Sequence, residues 1–219
     1  MPAGAGALAK VSIVSDGVVL YLSGGIPKDS ERVGTFSWLP GELEVLRRAL
    51  APLRPRFLDP SARDDDLGDA QATFGRDVLQ VQLSDAVLVD ARAKRGIGVG
   101  AEMLLAKTLR IPVVTLAPPD SHYRRRDLTF LGQQLDSWTH PFVAALSDYI
   151  AADIEEAAAW LLVMLRDPKA HVKGPEVIEV AIRHYASTQL GRDETMRSFL
   201  EESPELLEIE PAGLLRAVV

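Results

Sequence analysis

Cysteine is absent from the 219 residues. That excludes disulfides, thiolate zinc sites, iron–sulfur clusters and a cysteine nucleophile. It also fits a reducing cytoplasm. Long apolar runs are missing too. The longest, residues 157–165, has nine positions, whereas a membrane span needs about 20, so no membrane partner is expected. The N-terminal MPAGAGALAK has no basic start followed by an apolar stretch, and it reads as a tail rather than a signal peptide. There is no surplus of positive charge. With 24 basic and 31 acidic side chains the net charge is −7, which argues against binding a nucleic-acid polymer through its phosphates. A small anionic ligand is still open to a local cationic cluster.

What remains is an ordinary globular mixture, 47% apolar and 25% charged, so wholesale disorder is not expected. The length suits one α/β domain with an appendage, or two small domains. Residues 18–23 (VVLYLS) are an apolar run stopped by Gly24-Gly25, the pattern of a buried strand. The preceding 1–17 form a tail, or an edge strand at Val11–Val14. Leu43, Leu46, Leu50 and Leu53 recur at helical spacing over 40–53. Further strands are expected at 56–59, 86–90, 111–117 and 149–151, with helices at 69–83, 101–109, 141–146 and 154–166. Asp153 caps the last of these, with Glu156 three residues on as in a capping box. Residues 96–100 read as a glycine-rich turn, and 120–127, with three consecutive arginines, as an exposed loop.

Strands alternating with helices imply a parallel sheet covered on both faces. The expected fold is α/β, a doubly wound five-stranded parallel sheet of flavodoxin-like or Rossmann-like type over 18–166. A small helical C-terminal extension, 167–219, follows, with helices at 175–190 and 194–202. The extension is too short for a large core of its own and is expected to pack on the main domain or on another subunit. In such sheets ligands bind beyond the carboxyl ends of the strands. Those ends carry Ser23–Gly25, Asp59, Asp90 and Pro118.

Four features carry potential chemistry. Glu102 follows Gly96-Ile97-Gly98-Val99-Gly100-Ala101 and falls in the first turn of the expected helix. The positive helix end favours an ionised carboxylate there, and a positioned carboxylate can attack an electrophilic sugar carbon. Acidic residues are also common at that position for purely structural reasons. Asp77 lies within the face formed by Phe74, Val78, Val81 and Asp85. An inward carboxyl holds its proton more tightly, which suits a general acid, though an Asp that merely satisfies loop amides looks the same. Tyr21, near the end of the first strand, can orient a carboxylate or simply pack. His122-Tyr123-Arg124-Arg125-Arg126 reads as a solvated charged loop, with a lid or an anion clamp as the alternatives. Trp138 and His140 read as packing residues, with base stacking or partner binding as the alternative.

The order and spacing of these features resemble the nucleoside 2-deoxyribosyltransferase family, including its relatives the 2'-deoxynucleoside 5'-monophosphate N-glycosidases. The shared pattern is a strand ending in Tyr and small residues, then an Asp-bearing helix ending in Ala-Asp or Asn-Asp eight residues later, matched here by Asp77 and Ser84-Asp85. A glycine turn ending in Glu completes it, here Gly98-Val99-Gly100-Ala101-Glu102. The resemblance covers roughly 18–166. It implies Glu102 as nucleophile, Asp77 as the acid beside the leaving base and Tyr21 as the partner orienting Glu102. It also implies that Gly24, Gly25 and Ile26 line the sugar or 5'-phosphate position, with Gly98 and Gly100 beside the substrate and Lys28 as a phosphate contact. Transferases commonly carry an Asp six residues before the Glu. That position is Gly96 here, and Asp90 is the candidate substitute. The implied activity is cleavage of the N-glycosidic bond of a nucleoside or nucleoside 5'-monophosphate, by hydrolysis or base transfer. No metal or organic cofactor is implied, and a homodimer or higher homo-oligomer is. The alternative is a nucleotide-sensing module that binds without turnover.

Overall fold

The computed structural model describes residues 17–26, 38–167 and 169–208. The expected edge strand at Val11–Val14 and the candidate phosphate contact Lys28 lie outside them. Five parallel strands form one sheet in the order β2-β1-β3-β4-β7. They are β1 (Val19–Ser23), β2 (Arg56–Leu58), β3 (Ala86–Asp90), β4 (Val113–Leu116) and β7 (Tyr149–Ala151). The intervening β5 (Arg124–Phe130) and β6 (Gln133–Thr139) pair with each other in a separate antiparallel hairpin. The central β3 and β4 are buried at every position. This is why they read in sequence as unbroken apolar runs rather than alternating ones.

The fold is α/β and doubly wound. One face of the sheet is covered by α1 (Pro40–Ala49) and α5 (Ile154–Arg166). Leu46, Leu50, Ala157 and Leu161 pack there on Leu20, Leu22, Leu88 and Leu116. The other face is covered by α2 (Ala70–Leu83) and α3 (Ile97–Thr108). Val81, Val99, Met103 and Ala106 pack there on Tyr21, Val87, Val89 and Val113. Side chains alternate along a strand, so Leu20 and Leu22 face α1 and α5 while Tyr21 and Ser23 face α2 and α3. The chain leaves β1 to build β2 on one side, then returns to build β3 on the other. The strand order therefore reverses between β1 and β3, the point at whose carboxyl ends doubly wound sheets form a ligand crevice.

Helix α2 is capped by Asp69, which accepts from the Ala72 amide. At its far end Asp85 locks the helix to the sheet, because its carboxylate accepts from the Val19 amide at 2.8 Å. The Ser84-Asp85 pair thus fixes the register at which β3 enters beside β1. Phe74 departs from its expected inward face and is 67% exposed. Asp153 caps α5 by accepting from the Glu156 amide. Glu156 turns back to the Ala152 amide and the Tyr149 hydroxyl rather than to the cap residue itself.

Two expectations are corrected. The glycine-rich stretch is not a turn before a helix at 101–109. Gly96 is the cap, and Gly98 and Gly100 lie inside α3. Each interior glycine costs about 1 kcal/mol of helix propensity, but burial of Val99, Met103 and Ala106 against the sheet outweighs it. The stretch 120–127 is not simply an exposed loop, because it enters the β5–β6 hairpin. The turn of that hairpin places Leu131 at φ 49° and Gly132 at φ 79°, the left-handed pair that suits strand twist. Leu-Gly lacks the usual Asn-Gly signature, and both strands are largely exposed, so no alternation marked them.

The C-terminal extension contains α6 (Glu176–Thr188) and α7 (Glu194–Glu202), which close on Ala186, Leu190 and Leu200. It rests on the main domain. The Lys173 amide donates to Asp148 at 2.8 Å, and its ammonium reaches the Ser147 carbonyl at the end of α4 (Pro141–Leu146). Asp148 also pairs with Lys107, which is fully buried within α3. Among the described residues no helix is long and apolar enough to cross a membrane.

Candidate active site

The crevice between β1 and β3 brings together three of the residues singled out in sequence. Tyr21 and Ser23, two apart on β1, project to the same face as α3. Ser23 is fully buried, and its hydroxyl donates to Glu102 Oε2 at 2.5 Å. Glu102 is the sixth residue of α3, so it lies in the second turn rather than the first. Helical Cβ atoms tilt toward the N-terminus, and the carboxylate accordingly reaches back over the preceding turn. A Cβ at Gly98 would come within 3.8 Å of Glu102 Oε1. The carboxylate thus returns toward the amide-rich helix end that its position in the chain seemed to leave behind. Gly98 is exposed and leaves that oxygen approachable.

Burial raises the Glu102 proton affinity above the ordinary carboxylate value. The Ser23 hydroxyl and then the Tyr21 hydroxyl pull it back, and the Asp77 charge pushes it up again. Tyr21 is itself fully buried, and burial followed by the Glu102 charge drives its phenol far above its usual range, so it stays protonated. Its oxygen makes no hydrogen bond of good geometry, although its dipole acts on Glu102.

Asp77, on α2, lies within electrostatic reach of Tyr21 and Glu102. Its Oδ1 is buried without a hydrogen bond, 3.5 Å from Arg63 Nη1 and 3.6 Å from Arg76 Nη1. Burial raises its proton affinity above normal, and the two guanidinium charges oppose that rise. Arg63 and Arg76 were not picked out in the sequence, where the 60–68 loop reads as merely polar. No spacing rule connects Arg63 to a carboxylate on the next helix. Ser23 likewise looked like part of a glycine turn, and its parity with Tyr21 on a buried strand was the available signal.

The remaining expected residues divide. Gly24 and Gly25 are half-buried just past β1, and Ile26 is 49% exposed beside them. Asp90 closes β3 and is 1% exposed. It is engaged by Arg92 Nε at 2.9 Å and by Arg95, with Arg92 also bound to Glu42. Its charge is thus already neutralised within an ion-pair cluster. Gly100 turns away from Glu102. With Ile97, Ala101, Leu104, Phe142 and Ile178 it lines an apolar groove of about 570 Å³ between α3, α4 and α6.

The arginine-rich segment is tied down by its ring neighbours. The Tyr123 hydroxyl accepts from the Arg95 amide at 2.8 Å, joining the hairpin base to the loop before α3. His140 sits edge-on to Tyr123 and Trp138, with centroids 5.4 and 5.8 Å away, and both Trp138 and His140 are half-buried. Arg126 pairs with Asp120. Among the described residues no three His, Asp or Glu side chains converge as a metal site requires.

No family model and no curated protein matches the chain. Among solved structures, a conserved protein from Enterococcus faecalis matches at 16% identity and a TM-score of 0.48, over 65% of this chain and 95% of that one.

Proposed function

We propose that this protein cleaves the N-glycosidic bond of a nucleoside or nucleoside 5'-monophosphate, with Glu102 as nucleophile. One observation carries the reading. A half-buried carboxylate, gripped by Ser23 at 2.5 Å, stands at the sheet's reversal point within electrostatic reach of the protonated Tyr21 phenol and of Asp77, whose own proton affinity burial raises. A carboxylate held by hydroxyl groups, near a second carboxyl that keeps its proton more tightly, is the pairing that N-glycosidic cleavage calls for.

In the proposed reaction a Glu102 oxygen attacks C1' while the C1'–N bond breaks through an oxocarbenium-like transition state. The bonding pair leaves with the base, which takes the Asp77 proton and leaves that carboxyl ionised. The product is a glycosyl ester on Glu102. Water then attacks C1', Asp77 accepts its proton, and Glu102 is released with the free sugar. A second base in place of water gives transfer. Tyr21 and Ser23 steady the carboxylate between the two steps.

The exposed Ile97, Phe142 and Ile178 around the apolar groove support the homo-oligomer that the resemblance implies. A specific feature favours the second reading, nucleotide sensing without turnover. Position 96 is glycine, and Asp90, its candidate substitute, is already engaged by Arg92 and Arg95.

The test is incubation with a panel of nucleosides, deoxynucleosides and their 5'-monophosphates, with and without an acceptor base, followed by chromatography of released base. Release that vanishes in Glu102→Ala supports catalysis. Tight binding with no release after long incubation supports the sensor. Undiminished release in Glu102→Ala refutes the mechanism.

A further inference from the structure

Resting on that reading, we propose that Arg63 and Arg76 are positioning residues that bracket Asp77 and set the pH range over which its carboxyl exchanges a proton with the leaving base. Both guanidiniums are pinned by the loop before α2. Arg63 makes a fork to Asp65, with Nε to Oδ1 at 2.8 Å and Nη2 to Oδ2 at 2.5 Å. Arg76 Nη2 donates to the Ala62 carbonyl at 2.7 Å. So anchored, each presents its Nη1 to the same oxygen, Asp77 Oδ1, at 3.5 and 3.6 Å.

The arrangement exceeds what loop stability needs. The Arg63 side chain is 7% exposed, and a buried cation requires a counter-charge, which Asp65 alone supplies. Arg76 adds a second cation. The four groups are neutral together only when Asp77 is ionised, and protonating Asp77 leaves one uncompensated positive charge. The opposing influences are burial of Asp77 itself and the acidic groups around it. Asp65 faces it from the loop, and Glu102 and Tyr21 share its field from α3 and β1. Without the bracket, burial beside an ionised Glu102 would lock the proton on Asp77 and make it a poor donor. With it, the carboxyl can release the proton to the departing base and recover one from water. The bracket also fixes Oδ1 in place, whereas an isolated Asp rotates freely about its terminal bond.

The decisive experiment follows the Asp77 carboxyl by carbon-detected NMR as pH is varied, with the resonance assigned by its loss in Asp77→Asn. In Arg63→Gln and in Arg76→Gln the proton affinity of Asp77 is expected to rise about tenfold or more, as for loss of a cation within 4 Å. Arg63→Lys, which keeps the charge, should stay near the parent. The basic limb of the pH–rate profile for base release should move upward in step. Arg76, at 25% exposed, supplies the result if Arg63→Gln does not fold. An unmoved midpoint in folded Arg76→Gln and Arg63→Gln overturns the proposal. The titration needs no substrate. A parent protein that releases no base therefore refutes the glycosidase reading, while the titration still decides whether the bracket exists.

Discussion

Removing the Ser23 hydroxyl is the sharpest perturbation of the candidate site. Ser23→Ala deletes one buried atom and leaves the strand, its register and the residue volume nearly unchanged. The lost contact is a charge-assisted hydrogen bond of 2.5 Å to Glu102 Oε2. Bonds of this kind contribute about 1.5–3 kcal/mol. The hydroxyl stabilises the ionised form of Glu102, and a nucleophile must be ionised, so its loss shifts the ionisation equilibrium about 10- to 100-fold toward the neutral acid. Burial, already the largest influence on Glu102, would then dominate. The acidic limb of kcat/KM for base release should move to higher pH by the corresponding amount. Rates well above that limb should fall much less. A carboxyl-detected NMR titration of Glu102 measures the same shift without substrate. If the Glu102 midpoint stays where it is in a folded Ser23→Ala variant, the contact does not govern the carboxylate and the reasoning fails.

Three further perturbations probe the buried charges and the hairpin. Burial raises the proton affinity of both Glu102 and Asp77, so the folded chain binds protons more tightly than the unfolded one. Their contribution to stability is fully present below the ordinary carboxylate range and declines as pH rises through it toward the folded-state values. Glu102→Gln should therefore abolish base release yet resist urea better than the parent at neutral pH, with the advantage shrinking in acid. Lys107→Met leaves Asp148 buried without its cation and should cost about 3–5 kcal/mol in urea unfolding. A substitution that costs nothing would mean the pair is not formed. Gly132→Ala forces a side chain to φ 79° at about 1–2 kcal/mol, which should accelerate amide exchange in the β5–β6 hairpin and leave the parallel sheet protected.

The sheet was legible because its central strands are buried on both faces. VVLYLS, AVLVD and YIA have no other reading once Gly24-Gly25, the helices between them and Asp153 punctuate them. The hairpin was not legible, since Arg124, Arg125 and Arg126 keep their charges in water whether the backbone is strand or loop. The start of α3 was misjudged for a tertiary reason. Three glycines argue for a turn until Val99 and Met103 find the sheet. Glu102, Asp77 and Tyr21 could be proposed from the family resemblance that their order and spacing carry, but their partners could not. Ser23 needed the parity of a buried strand, and Arg63 needed the loop to fold back on α2. Phe74 shows the converse, an apolar side chain at helical spacing that faces solvent.

The central claim is that Glu102 becomes covalently bonded to the sugar. Intact-mass spectrometry after brief incubation with a 2-fluoro-arabinosyl nucleoside, whose electron-poor sugar slows the second step, addresses it directly. The account predicts a mass increase of one glycosyl unit, located by peptide mapping on Glu102 and absent from Glu102→Gln. Base release with no adduct, or an adduct on another residue, would contradict it.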